Sequence, residues 1–278
     1  MRLFWAAIFA VLLCQAEDAL LVITGIAAQK EAVGEIGKEL VQVQSLLPVG
    51  ASPETFSPSA KQLALCSEAS IYIYMGTPME KGLLPKLRKS FPQLEICDAT
   101  RGMAYRMEDD EHHGKGGKDP HLWLSVANMK IHAENVAEAL CAARPGKADA
   151  LKANLKNYKQ KLDGLNEEIH GILAPLKGRT VLVYHPAFGY LLDSVGMRQL
   201  AVEQHGKDAS ARHLAELRRE AENIECKLIF VQPQSNPVVA AKAAEILHRK
   251  MKELSPIPEN YSPGMLEIAR TLRSAFEL

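Results

Sequence analysis

The chain lacks an excess of charge of either sign. Its 278 residues include 33 Lys+Arg and 33 Asp+Glu, so the formal net charge at neutral pH is zero. Nucleic-acid binding depends on a surplus of Lys and Arg that neutralises phosphates. The balanced charge therefore argues against a nucleic-acid partner, and it removes any general attraction to anionic membranes.

Long apolar runs are also scarce. The most marked run, residues 3–13, lies close to the N-terminus and is too short to span about 30 Å of hydrocarbon as a helix. It follows a basic residue and precedes small residues, which is the order typical of a secretory signal peptide. We expect a signal peptide at residues 1–16 and an exported, periplasmic protein. A lipid anchor at Cys14 is disfavoured, because Leu13 stands where such sites have a small residue.

Cysteine is infrequent and forms no CxxC pair. Beyond the predicted signal peptide the chain has four, Cys66, Cys97, Cys141 and Cys226. Their wide spacing excludes a zinc knuckle built from thiolates. The sequence leaves two states open, a disulfide between Cys66 and Cys97 or buried free thiols.

Short apolar runs alternate with amphipathic stretches in two halves of the chain. We predict strands at residues 20–25, 41–47, 71–75, 94–97, 180–184 and 228–232, and helices at 29–40, 61–67, 214–224, 238–251 and 263–276. Such alternation is typical of α/β proteins with parallel sheets. Between the halves, residues 147–172 have apolar residues at helical spacing and no Pro, which predicts one helix about 38 Å long.

The predicted fold is therefore α/β with two lobes, each holding a mainly parallel sheet flanked by helices. We expect an N-terminal lobe at residues 17–146, a linking long helix at 147–174 and a C-terminal lobe at 175–278. Within the first lobe, residues 108–120 (EDDEHHGKGGKDP) are too polar and glycine-rich to pack in a core, so we expect a mobile surface loop. Its His112 and His113 either gather metal or belong to a solvated spacer.

Three side chains that can bind metal follow predicted strands or precede a helix. Glu54 lies in the turn GASPETF, His121 in DPHLWLS, and His185 in YHPAFGY directly after an apolar strand. Ligands of α/β proteins bind at the carboxyl ends of strands. Two imidazoles and a carboxylate suit Zn²⁺, Mn²⁺ or Fe²⁺, and the nitrogen content favours zinc. The residues alone thus predict an exported two-lobed protein with a metal site between the lobes.

The segments DPHLWLSVANMKIHAENVAEAL and LVYHPAFGYLLDSVG, with LLPVGASPETFSPSAKQLALCSEASIYIYMG before them, resemble the metal-ion solute-binding proteins of ABC importers. This family includes the zinc-uptake ZnuA-like and TroA-like proteins. The resemblance implies that His121 and His185 are metal ligands, and that His rather than Glu at position 185 marks a zinc-type member. It also implies delivery of Zn²⁺, or alternatively Mn²⁺, to a membrane permease driven by an ATPase, by a monomeric protein without catalytic activity.

Two positions depart from the family pattern. Glu54 stands where the family has His, and Ser255 in LSPIP stands where it has an Asp ligand. A carboxylate can still bind metal, whereas a neutral hydroxyl is a poor zinc ligand, so water or Glu259 are candidates for the fourth position. Three protein ligands and a water are also how catalytic zinc is bound, which keeps a metal-dependent hydrolase as an alternative. A second alternative is a member of the family whose metal site is altered.

Overall fold

A computed structural model describes residues 19–107, 117–203 and 209–277. The predicted signal peptide lies outside these residues, and so do His112 and His113. In the part of the chain that is described, no helix has the length and apolar character needed to cross a membrane.

The N-terminal lobe is built on a four-stranded parallel sheet. Its strands, in the spatial order β2-β1-β3-β4, are β1 (Leu20–Thr24), β2 (Val41–Ser45), β3 (Ile71–Tyr74) and β4 (Glu95–Asp98). The helices of this lobe are α1 (Lys30–Gly37), α2 (Ala60–Glu68), α3 (Pro78–Ser90) and α4 (Val126–Ala143). The central strands β1 and β3 are almost entirely buried, as expected for strands that helices cover on both faces.

A second parallel sheet with the same topology forms the C-terminal lobe. Its strands, in the order β6-β5-β7-β8, are β5 (Thr180–Val183), β6 (Arg198–Ala201), β7 (Leu228–Val231) and β8 (Lys250–Glu253). Its helices are α6 (Gly189–Ser194), α7 (Ala211–Ala221), α8 (Pro237–Ile246) and α9 (Tyr261–Ser274). The predicted α/β class with two parallel sheets is confirmed.

The lobes are joined by the helix α5 (Ala148–Leu173), whose 26 residues extend over about 39 Å. It packs against α1 and α4 of the first lobe and against α9 of the second. Its buried residues recur every three to seven positions along one face: Leu151, Tyr158, Leu162, Leu165, Ile169 and Leu173. One hydrophobic core includes these residues and members of both lobes. The lobes are therefore held together by shared packing as well as by the connection of the chain.

Leu162 allows the contribution of this shared core to be measured. Its side chain is fully buried, so Leu162→Ala should lower the free energy of unfolding by about 2–5 kcal/mol through lost burial and a residual cavity. Urea titration of the metal-free protein measures this loss. Lys152→Ala, at an exposed position of the same helix, is the control and should change stability by less than about 0.5 kcal/mol. Equal effects of the two substitutions would show that α5 is not part of the core.

The predicted helix at 238–251 is wrong at its C-terminal end. The helix α8 ends at Ile246, His248 adopts a positive φ of 52°, and the chain then enters β8. All four side chains of β8 are exposed, so no alternation of apolar and polar residues predicts the strand. It forms because its backbone pairs with β7 at the edge of the sheet. The strand β6 and the helix α3 are likewise absent from the sequence-based prediction.

The four described cysteines are free thiols, which answers the question that the sequence left open. Cys66 and Cys226 are buried. Burial raises the pKa of the Cys66 thiol to about 11. The two buried thiols therefore behave as apolar core side chains rather than as reactive groups.

Candidate metal centre

Glu54 lies in the loop that follows β2 at the carboxyl end of the first sheet. The loop begins as a continuation of strand pairing, because the backbone N–H of Leu46 donates to the carbonyl of Thr24. At the turn, the N–H of Glu54 donates to the Ser52 hydroxyl at 3.2 Å. About a third of the Glu54 side chain remains exposed, at 31%. The turn thus holds the backbone and leaves the carboxylate directed toward the second lobe.

His121 is held by the buried segment that follows it, the 3₁₀ turn Leu122–Leu124. The Trp123 indole N–H donates to the carbonyl of Pro256 at 2.7 Å, which ties the segment to the C-terminal lobe. The Trp123 ring also contacts the His121 ring edge-on, with centroids 5.3 Å apart. His121 is therefore buried and fixed by packing from both lobes.

His185 follows β5 at the carboxyl end of the second sheet. The N–H of Tyr184 still pairs with the carbonyl of Phe230, and the chain then leaves the sheet. Only 11% of the His185 side chain is exposed. Its ring lies edge-on to that of His121, with centroids 5.2 Å apart. The two predicted histidines, 64 positions apart in sequence, therefore meet between the lobes.

The three predicted side chains lie close enough to share one ion. The Nε2 atoms of His121 and His185 are 3.3 Å apart, and Glu54 Oε1 lies 2.8 Å from His185 Nε2 and 3.8 Å from His121 Nε2. Two nitrogen ligands of a tetrahedral zinc ion, with Zn–N distances of about 2.0–2.1 Å, are separated by about 3.3 Å. Of the His, Cys, Asp and Glu side chains in the described ranges, these three form the group with metal-binding geometry.

A carboxylate lies behind each imidazole. His121 Nδ1 donates to Asp119 Oδ1 at 2.8 Å, and His185 Nδ1 donates to Glu203 Oε2 at 3.0 Å. A carboxylate that accepts from Nδ1 fixes the ring orientation and leaves the Nε2 lone pair free for a metal. Neither acid is among the site residues predicted from the sequence. The available signals were an Asp two positions before His121 and an acid just after β6, neither of which is specific.

In the metal-free protein, the opposite charges of Glu54 and His185 stabilise each other. Burial raises the pKa of Glu54, but the favourable interactions with the nearby His121 and His185 rings outweigh burial and bring its pKa well below the ordinary value. Burial lowers the pKa of His185, whereas hydrogen bonds to Glu203 and Glu54 outweigh it and raise the pKa to about 9. At neutral pH a negative Glu54 thus faces a protonated His185, whose proton must leave before the ring can bind metal.

Metal binding should consequently release a proton from His185 and strengthen with pH. Because the raised pKa keeps His185 protonated below pH 9, apparent affinity should rise up to about tenfold per pH unit between about 7 and 9. This pH range lies above the range expected for an imidazole with the ordinary pKa of about 6.5. Calorimetric titration in buffers of different ionisation enthalpy counts the protons released. No release at pH 7 would contradict the prediction.

The other candidate residues are placed differently. The Ser255 hydroxyl donates to the carbonyl of Ile257 and accepts from its N–H, so it is engaged in its own turn. Glu259 is exposed and does not belong to the group of three. Among the residues that the structure describes, no side chain is thereby assigned to the fourth position.

Comparison with known proteins identifies the family. Residues 22–275 match the model of ZnuA, the periplasmic component A of the zinc-uptake complex. The chain belongs to this family. It is 28% identical over 237 residues to the zinc-binding protein AdcA of Streptococcus pyogenes, an alignment covering 77% of the chain and 46% of AdcA. A zinc-binding lipoprotein AdcA of Streptococcus pneumoniae is 27% identical, with 87% and 51% covered. The chain therefore spans about half the length of these AdcA relatives.

Solved structures of the family share the fold. A crystal structure of ZnuA has a TM-score of 0.86 and 28% identity, covering 93% of this chain and all of that one. The periplasmic zinc-binding protein TroA of Treponema pallidum, at 20% identity, has a TM-score of 0.81 with 93% and 99% covered. ZnuA family members are solute-binding transport proteins, not enzymes. The hydrolase alternative is thereby set aside.

Proposed function

We propose that this chain is the extracytoplasmic binding protein of an ABC-type importer and that its cargo is a divalent transition metal, chiefly Zn²⁺. One observation carries the proposal: two imidazole Nε2 atoms 3.3 Å apart, each ring backed by a carboxylate, beside the Glu54 carboxylate. Neutral imidazoles are preferred zinc ligands. The zinc-binding proteins AdcA and TroA, to which the chain is similar, agree with this ligand set.

The proposed ligands are Glu54, His121 and His185, with water in the fourth position. A carboxylate oxygen is a harder ligand than the imidazole nitrogen it replaces and suits Mn²⁺ better, so Mn²⁺ is the alternative cargo. Ser255 and Glu259 remain weaker candidates for the fourth ligand. His112 and His113 are proposed as accessory residues that raise the local metal concentration.

The proposed partners are a membrane permease and its cytoplasmic ATPase, to which the protein delivers metal as a monomer. We propose that residues 1–16 act as a signal peptide for export. The proposed mature protein has lobes at 17–146 and 175–278, joined by the linking helix at 147–174. Because the lobes share one core, release of metal should involve movement of loops and small lobe displacements.

Metal analysis of the purified protein tests the proposal. The protein is stripped with a chelator and dialysed against limiting equimolar Zn²⁺, Mn²⁺ and Fe²⁺, and bound metal is measured by elemental analysis. We expect one zinc per chain and little of the other ions. Retention of none of the three ions would refute a metal cargo. More bound manganese than zinc would show that the cargo is Mn²⁺ instead of Zn²⁺.

A further inference from the structure

Arg106 lies between Asp119, which accepts from the candidate ligand His121, and the helix α6 of the other lobe. Its guanidinium donates from Nε to Asp193 Oδ2 at 2.7 Å, and Nη1 lies 3.4 Å from Asp119 Oδ2. Asp193 belongs to α6 of the C-terminal lobe, whereas Asp119 is the acceptor that orients His121. The Arg106 side chain is only 13% exposed. A largely buried cation therefore lies between two carboxylates, one from each lobe.

Hydrogen bonds of the backbone reinforce this connection. The N–H of Arg106 donates to the Tyr190 hydroxyl at 2.9 Å, and that hydroxyl donates to the carbonyl of Asp119 at 2.9 Å. The N–H of Asp119 in turn donates to the carbonyl of Arg106 at 2.9 Å. A Cβ atom at Gly189 would lie 2.6 Å from the guanidinium carbon, so the close approach of Arg106 to α6 needs glycine at this position.

The two ligand segments meet at the same helix. Tyr190 and Asp193 lie on α6, which begins four residues after His185. Arg106 and Asp119 flank the segment that leads to His121. These contacts therefore link the segment that carries His121 to the helix that follows His185.

We propose that Arg106 is a positioning residue of the metal site, acting through Asp119. It holds the Asp119 carboxylate in the orientation that accepts from His121 Nδ1, and it ties His121 to the helix that follows His185. This inference rests on the proposed function. The expected consequence is a site already formed before metal arrives, which reduces the cost of reorganisation on binding.

A double-mutant cycle on zinc affinity tests this inference. Arg106→Gln and Asp119→Asn are each expected to weaken binding by about 10–100-fold, the usual loss when a residue behind a ligand is removed. If Arg106 acts through Asp119, the double variant should lose no more zinc affinity than the weaker-binding of the two single variants. A merely structural role of Arg106 predicts that the two losses multiply. Affinities are measured by competition with a chromophoric chelator on the full mature chain.

Two further variants keep the test interpretable. Tyr190→Phe removes one hydroxyl with little risk to folding and should weaken zinc binding several-fold. Arg101→Gln is the matched control, since Arg101 bonds to Asn135 and Glu138 within one lobe, and it should leave affinity unchanged.

The outcomes separate this inference from the proposed function. Absence of zinc binding in the wild type would refute both. Normal zinc binding in the wild type together with an Arg106→Gln affinity equal to that of Arg101→Gln would overturn the inference alone, as would losses that multiply in the double variant. The inference is supported if the affinity losses of Arg106→Gln and Asp119→Asn do not multiply in the double variant and Tyr190→Phe binds zinc more weakly than the wild type.

Discussion

Replacing His121 or His185 by Ala should reduce zinc affinity on the order of a hundredfold. Each imidazole supplies one of three protein ligands, and the total binding free energy of structural zinc sites is about 10–16 kcal/mol for four ligands, so one ligand is worth about 3 kcal/mol. Removing either ring also takes away the imidazole N–H that Asp119 or Glu203 accepts. Competition titration at pH 8 measures the loss.

His170→Ala is the control for this pair, because His170 lies on α5 and outside the group of three. It should bind zinc as the wild type does. If His121→Ala and His185→Ala both bound zinc as tightly as His170→Ala, neither histidine would be a ligand. Circular dichroism of each metal-free variant checks that the fold is retained.

Glu54 should determine how well the protein distinguishes Zn²⁺ from Mn²⁺. Its carboxylate occupies the position where the family resemblance implies an imidazole, and oxygen suits the harder ion. We expect Glu54→His to strengthen zinc binding by about tenfold, or about 1.4 kcal/mol, and to weaken manganese binding. Glu54→Ala should weaken both ions, since a ligand is lost. Parallel titrations with the two metals measure the change in selectivity.

The control for Glu54 is Glu68→Ala, an exposed acid at the end of α2. It removes the same charge away from the group of three and should change neither affinity. An unchanged affinity for both metals in Glu54→His and Glu54→Ala would mean that Glu54 is only a turn residue. Uniform changes for both metals in the two variants would assign it an electrostatic role instead of a ligand role.

The sequence predicts the central elements of the fold because their own residues determine them. The strands β1 and β3 consist of apolar and aromatic residues except for Thr24, and α5 has buried residues at helical spacing over 26 residues. The edge strand β8 is different. Its residues KMKE are all exposed, and only pairing with β7 makes it a strand, so local pattern cannot reveal it.

The candidate ligands were also predictable, whereas their supporting residues were not. Glu54 and His185 follow strands at the carboxyl edges of the sheets, where ligands bind. Glu203 acts on His185 from just beyond the end of the neighbouring strand β6, and Arg106 contacts Asp119 and Asp193, which belong to different lobes. These contacts depend on tertiary packing between distant segments, which residue type and spacing in one sequence do not specify.

Anomalous diffraction from crystals of the zinc-loaded protein, recorded on both sides of the zinc absorption edge, most directly tests whether the three side chains bind one metal ion. The strongest peak should lie about 2.0–2.2 Å from Nε2 of His121, Nε2 of His185 and a carboxylate oxygen of Glu54. A strongest peak elsewhere, such as beside His112 and His113, would contradict the proposed site.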